Sequence, residues 1–120
     1  MSIAITEPSF WILSALAGGR RHGYGVLQEV TELSAGRTVL KVPTLYATLE
    51  RLERAGLIAP DGEEVVDGRA RRYYTLTDAG SNALQAEAEA LRAKARIATA
   101  RLSGRPRTAP AWTATATATA

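Results

Sequence analysis

The sequence predicts a mostly α fold closed by one small β-hairpin, and three observations carry that reading. Four segments repeat apolar residues at helical spacing, and the last is the longest. Between the third and fourth lies a stretch that alternates with period two and holds the turn dipeptides Asp61-Gly62 and Asp67-Gly68. The chain has 120 residues and no cysteine, which fits one small domain without disulfides or thiolate metal ligands.

The first helix is expected over Glu7 to Ala17, with Thr6 as N-cap, Pro8 in the first turn and Gly18-Gly19 as the stop. Phe10, Trp11, Ile12, Leu13 and Leu16 cover more than one face, so it should be largely buried. Trp11 lies off the Ile12/Leu16 face and is assigned to contact with a second subunit. Arg20-Arg21 reads as a loop. A second helix runs from near His22, its cap, to about Leu33, on the repeat Val26, Leu27, Val30, Leu33. Val39 to Val42 reads as an extended, one-bridge strand.

Pro43 opens the third helix, in which Leu45, Leu49 and Leu52 form the buried stripe. Thr44, Ala47, Thr48 and Arg51 are placed on a different, outward face. Glu50 and Arg54 form a supporting pair one turn apart, and Gly56 is read as the C-cap. The hairpin follows, with its tip at Asp67-Gly68 and a bend or bulge near Gly62. Its return strand, Ala70 to Leu76, sets Arg72, Tyr74 and Leu76 on one side and Arg71, Tyr73 and Thr75 on the other. Leu76 leads into the core, so Tyr74 should pack inward. Thr77 then caps a helix from Asp78 to about Leu102. In it Leu84, Leu91 and Ala98 recur every seven residues, beside a second line through Ala88, Ala95 and Leu102. The organisation expected is thus a globular part over residues 1–76, a dimerisation helix over 77–103 and a disordered Ala-Thr-rich tail over 104–120.

The net charge is +3 and is unevenly spread. Residues 1–68 carry nine acidic against six basic side chains, a net of −3, whereas residues 69–120 carry nine basic against three acidic, a net of +6. A basic half calls for a polyanionic partner. Of the fifteen cations thirteen are arginine, the side chain that forks onto phosphate and guanine edges. The apolar run from Phe10 to Ala17 is not preceded by lysine or arginine, so it reads as a buried helix rather than a secretion signal. No stretch reaches the length needed to span a bilayer, and the cytoplasm is the expected compartment. The single histidine, the absence of cysteine and the lack of a Gly-rich phosphate loop speak against catalysis, a metal or a cofactor.

A slim helix followed by an arginine-bearing hairpin is how a winged helix-turn-helix is built: a three-helix core plus a two-stranded wing. On that reading Thr44, Thr48 and Arg51 face bases and Lys41 meets a phosphate where the third helix starts. Tyr46 either donates its hydroxyl to phosphate or sits half-buried in the core. Arg69, Arg71 and Arg72 reach phosphate or the minor groove, Arg72 from a strand face that leads inward. Leu84, Leu91, Ala98 and Leu102 form the dimerisation seam.

Five blocks in order resemble the PadR family of transcriptional regulators. They are Ile12-Leu13-Ser14-Ala15-Leu16, His22-Gly23-Tyr24-Gly25, Thr44-Leu45-Tyr46 with Leu49 and Arg51-Leu52, Ala55-Gly56-Leu57-Ile58, and Arg71 through Gly80. The resemblance implies a winged helix-turn-helix homodimer, not an enzyme. It also implies binding to a palindromic double-stranded DNA operator, often as a repressor released by a small molecule. Pro43 stands where the family usually has glycine. The dimer helix lacks the aromatic residues with which some relatives hold flat compounds, which leaves Phe10 and Trp11 to meet a small aromatic effector. The alternative on the same scaffold is a protein-interaction module that does not read DNA.

Overall fold

The computed structural model describes residues 4–106. Four helices and three strands follow in the order α1 (Glu7–Ala17), β1 (Arg21–His22), α2 (Gly23–Leu33), α3 (Val42–Arg54), β2 (Ile58–Val66), β3 (Arg69–Leu76) and α4 (Asp78–Ser103). The strands form one antiparallel sheet in the order β1-β3-β2. The chain divides into a unit over Met1–Glu89, which holds the core and the sheet, and a second over Ala90–Ala120. The boundary falls inside α4 rather than at residue 77. Ala83 and Leu84, in its early turns, pack against the core and hold that part of the helix to the first unit. The expectations for the Ala-Thr repeat lie outside the described residues.

Local rules account for the helix ends. Thr6 Oγ1 accepts from Ser9 N–H at 3.2 Å and caps α1. His22 caps α2 through Nδ1, which accepts from Gly25 N–H at 3.1 Å. At the end of α3, Gly56 takes φ +78° just after the cap residue Ala55. Gly56 N–H reaches Glu53 O at 3.0 Å and Leu57 N–H reaches Leu52 O at 3.0 Å. This Schellman closure satisfies the last carbonyls of α3 and turns Leu57 into the core.

The expected two-stranded wing is a three-stranded sheet. Residues 38–41 have no regular structure and Val42 belongs to α3, so the strand expected there is absent. The third strand is β1, where Arg21 pairs with Tyr74 and His22 with Tyr73. A strand of two residues has no periodicity to read, which is why Arg20-Arg21 reads as a loop. The hairpin itself matches expectation. Asp67 and Gly68 turn with φ +52° and +77°, the doubly positive pair a tight two-residue hairpin needs. The register between β2 and β3 shifts between Pro60 and Glu63, a bulge at Gly62.

The core is α1 against α3 and α2. Ile12, Leu13 and Leu16 of α1, Val26 and Val30 of α2, and Leu45, Leu49 and Leu52 of α3 are buried together, closed by Ile58 and Tyr74 from the sheet. Leu33, at the end of α2, is exposed. Trp11 packs against this same cluster, edge-on to Phe10 at 5.2 Å, with its Nε1–H donating to Glu7 Oε2 at 2.8 Å. It is therefore a half-buried part of its own core, because one flank of the ring has neighbours on α1 itself.

The start of α4 is clamped to the end of α3. Thr77 Oγ1 donates to Gly56 O at 2.7 Å and accepts from Gly80 N–H at 3.0 Å, and Thr77 N–H donates to Leu57 O at 3.1 Å. Gly80 is pressed against the Leu57 carbonyl so closely that a Cβ would collide with backbone. Gly80→Ala should therefore destabilise the fold despite the higher helix propensity of alanine, by about 1–3 kcal/mol. Chemical denaturation of the two proteins checks this, and an equal or higher midpoint for the alanine variant would refute it.

Candidate nucleic-acid interface

Helix α3 exposes a different face from the one its sequence suggests. Leu45, Thr48, Leu49 and Leu52 all lie on the buried side, and Thr48 is only 6% exposed. Three and four residues separate it from Leu45 and Leu52, so it belongs to their stripe. The assignment of Thr48 to base contact is thus corrected: its neighbours cover it. Arg51 is also engaged inward. Its Nη2 donates to Ser9 Oγ at 2.8 Å and approaches Thr6 Oγ1 at 3.4 Å, while Thr6 Oγ1 donates to Ser9 Oγ at 3.0 Å. Ser9 is fully buried, so this guanidinium ties α3 to the first turn of α1 rather than standing free for a base.

What α3 leaves open is a ridge of Pro43, Ala47, Glu50 and Arg54, flanked by Thr44 and Tyr46, with Val42 and Lys41 exposed at its start. The ridge is small and largely apolar near the N-terminus of the helix. Further along, Arg54 Nη2 donates to Glu50 Oε1 at 2.6 Å, the pair expected from their spacing. Val42, Pro43 and Arg54 are absent from the sequence-based candidates. They were legible only by drawing the outward direction opposite the full stripe, Thr48 included.

The second part of the interface is a cleft of about 550 Å³. It exists because β1 stops at His22. Beyond that point β3, from Arg72 back to Arg69, has no strand on that edge, since β2 lies on the other. The gap is walled by His22, Gly23 and Tyr24 at the start of α2, by Tyr46 of α3, and by Arg69 to Arg72 with Tyr74. Tyr46 is half exposed and lies over Gly23, where a Cβ would come within 2.7 Å of the phenol oxygen. Its two sequence readings merge: the ring packs, and the hydroxyl sits in the cleft wall. Tyr74 is buried, as expected, and burial pushes its phenol up from the ordinary value while the Arg72 guanidinium opposes this.

Electrostatics separate the three arginines. Arg72 Nη2 pairs with Glu53 Oε2 at 3.3 Å and lies 5.6 Å from the Tyr74 ring, and its side chain is half exposed although its strand face leads inward, whereas Arg71 is the more buried of the two. Among the described residues Arg69 and Arg71 form no ion pair, so their charge is available to an outside anion. Arg20 and Arg21 are braces. Arg20 stacks on the Tyr73 ring at 3.8 Å and donates to Asp61 O at 2.8 Å; Arg21 donates to Ala15 O at 3.1 Å and pairs with Glu29 at 3.3 Å.

On α4, Leu84 packs partly on its own core, which differs from a purely intersubunit role. Leu91, Ala98 and Leu102 are exposed, as is Ile97. Among the described residues no helix is long and apolar enough to cross a membrane, and no group of His, Asp or Glu side chains is arranged to hold a metal.

A three-helix core with a β-hairpin wing, a slim exposed helix face and a cationic cleft beside it define a winged-helix protein of the nucleic-acid-binding type. A family model described as the Transcriptional regulator PadR-like family matches residues 12–86, and the chain belongs to that family. It is a transcriptional regulator and not an enzyme. It is 44% identical over 85 residues to Transcriptional regulator Rv3488 of Mycobacterium tuberculosis, covering 71% of this chain and 76% of that protein. Its fold is similar to a PadR family transcription regulator from Clostridium difficile R20291, with a TM-score of 0.68 and 27% identity over 81% of this chain and 99% of that one. It is also similar to Bacillus subtilis PadR, whose structure was solved in complex with operator DNA. That match has a TM-score of 0.56 and 26% identity over 63% of this chain and 43% of that one.

Two predictions follow from the inward contacts. Arg51→Ala should lower stability by about 1–2 kcal/mol through loss of the Ser9 hydrogen bond. On DNA it should leave base preference unaltered, and a melting curve with a binding-site selection on both proteins checks this. His22 carries a sign. Burial first, then the Arg71 cation, hold its pKa below the ordinary 6.5, with Glu64 opposing. The unfolded chain therefore takes up a proton more readily than the fold. The stability contributed by neutral His22 is complete above pH 6.5 and is lost as pH falls through the lower folded value. Thermal melting across that range should show a steeper acid loss for the wild type than for His22→Asn, which keeps a capping oxygen but does not titrate.

Proposed function

We propose that the protein is a homodimeric repressor that binds a palindromic double-stranded DNA operator. The observation that carries this is the sharing of Tyr46: it belongs to the exposed face of α3 and also walls the cleft of Arg69, Arg71 and Arg72. A helix laid in the major groove through its open ridge would bring that cleft onto the flanking phosphates. Thr44, Ala47, Val42 and Pro43 are the groups small and apolar enough to meet base edges, and thymine methyl groups above all. Arg54, on release from Glu50, and Lys41 at the start of the helix extend the contact to guanine or phosphate. Arg69 and Arg71 neutralise phosphates, and Arg72 does so while keeping Glu53.

Two copies are needed for a palindrome. The exposed Leu91, Ala98 and Leu102 of α4 supply an apolar seam with heptad spacing, with Leu84 at its beginning. Recognition helices would then enter major grooves roughly 34 Å apart. A small aromatic effector that relieves repression would act beside Phe10 and Trp11.

Fluorescence anisotropy with operator duplexes, found by selection from random DNA, tests the reading. Arg69→Ala and Arg71→Ala should each reduce the slope of log affinity against log salt by about one and weaken all sequences alike. Replacing operator thymines by deoxyuridine should cost about fourfold for each methyl group that α3 covers. A flat salt dependence in the wild type would favour the protein-interaction module. Indifference to deoxyuridine would remove the methyl readout alone.

A further inference from the structure

The imidazole of His22 has more donors around it than acceptors to offer. Gly25 N–H points at Nδ1, 3.1 Å away, and so requires a lone pair there. In the neutral ring the single proton then sits on Nε2. Yet Arg71 Nη1, which can only donate, lies 3.3 Å from Nε2. The other tautomer would satisfy Arg71 and strand the Gly25 N–H at the first turn of α2. In either arrangement an acceptor is missing. Both the ring edge and the guanidinium line the cleft at the free edge of β3.

The surroundings say what would supply that acceptor. Arg71 and Tyr73 of β3 face the ring, Tyr73 edge-on at 5.4 Å. Arg20 lies beyond it on the Tyr73 ring. From β2 the charged group is Glu64, which accepts from the Tyr73 hydroxyl at 3.4 Å. From α2 and α3 the polar groups are Tyr24 and Tyr46, and Arg69 and Arg72 complete the cleft wall. The open side is cationic and rich in N–H and O–H donors, which selects an anionic oxygen and excludes a cation or an amine.

We propose that His22 is itself a phosphate ligand: its Nε2–H and the Arg71 guanidinium close together on one non-bridging oxygen of a DNA backbone phosphodiester. This rests on the DNA-binding reading above and gives that interface a second donor type. The docked phosphate removes the donor–donor conflict while Nδ1 of the neutral ring goes on capping α2; a second proton, on Nδ1, would give up that cap. The phosphate also reverses the local field. In the free protein Arg71 disfavours a charged ring; in the complex the phosphate offsets Arg71 and favours it. DNA binding is therefore coupled to the proton affinity of this one side chain.

His22 is the only histidine of the 120 residues, so the ring resonances of the intact protein report on it alone. Nitrogen and Cε1 signals are followed against pH with and without an operator duplex, and anisotropy measures binding in parallel. The expected result is a proton on Nε2 near neutral pH in the complex, and a titration midpoint raised by about one pH unit by the duplex. Affinity should then rise as pH falls from neutral through the titration range of His22, up to a limit of about tenfold for a one-unit shift. His22→Asn keeps an oxygen for Gly25 N–H and should melt like the wild type at neutral pH. It should bind the duplex about tenfold more weakly, with no pH response of this kind. A midpoint that stays put while the duplex is bound, or a His22→Asn variant that binds like the wild type, would overturn the proposal and leave DNA binding standing. No duplex binding by the wild type would overturn both.

Discussion

Burial of the Leu45, Thr48, Leu49 and Leu52 stripe against α1 and the sheet is the constraint on which the rest depends. It fixes the rotation of α3, and that rotation decides which side chains can reach a partner. Leucine supplies most of the driving force, since each fully buried side chain contributes about 1.5–3 kcal/mol before entropy is counted. The polar Ser9–Thr6–Arg51 node adds direction to this apolar contact, because hydrogen bonds are lost when the helices slide. The same rotation turns Pro43, Ala47 and Arg54 outward and sets Tyr46 over Gly23.

The sheet acts as the second positioning device. Two residues of β1 are enough to anchor the start of α2 to β3, through Arg21 opposite Tyr74 and His22 opposite Tyr73. Because β1 ends there, the edge of β3 is left open where Arg69, Arg71 and Arg72 lie. A longer β1 would have filled the gap with main chain. The cleft is thus a consequence of where a strand stops, and the arginines give it its charge. His22 sits at the junction, serving as β-residue, helix cap and cleft wall at once.

Much of this was readable from local chemistry. The caps at Thr6, His22 and Thr77, the turn at Asp67-Gly68, the bulge at Gly62 and the inward Tyr74 all follow from rules that act over a few residues, and all are found. The misplacements share a cause. Thr48 is polar and Arg51 is charged, so by composition both belong outside. Arg51 is instead held by Ser9, forty-two residues earlier, and Thr48 lies within the buried leucine stripe of α3. The strand β1 was invisible because pairing of two residues depends on what lies opposite, not on their own pattern.

By itself the sequence determined the order of the four helices and the hairpin, the helix ends and the excess of positive charge after residue 68, because spacing, caps and turn dipeptides are short-range properties of the chain. The tertiary structure decided the rotation of α3 that buries Thr48, that among the described residues Arg72 is ion-paired while Arg69 and Arg71 are not, and that His22 meets Arg71 forty-nine residues away. These are matters of rotation and of strand length. They depend on packing between distant segments, which no local pattern encodes.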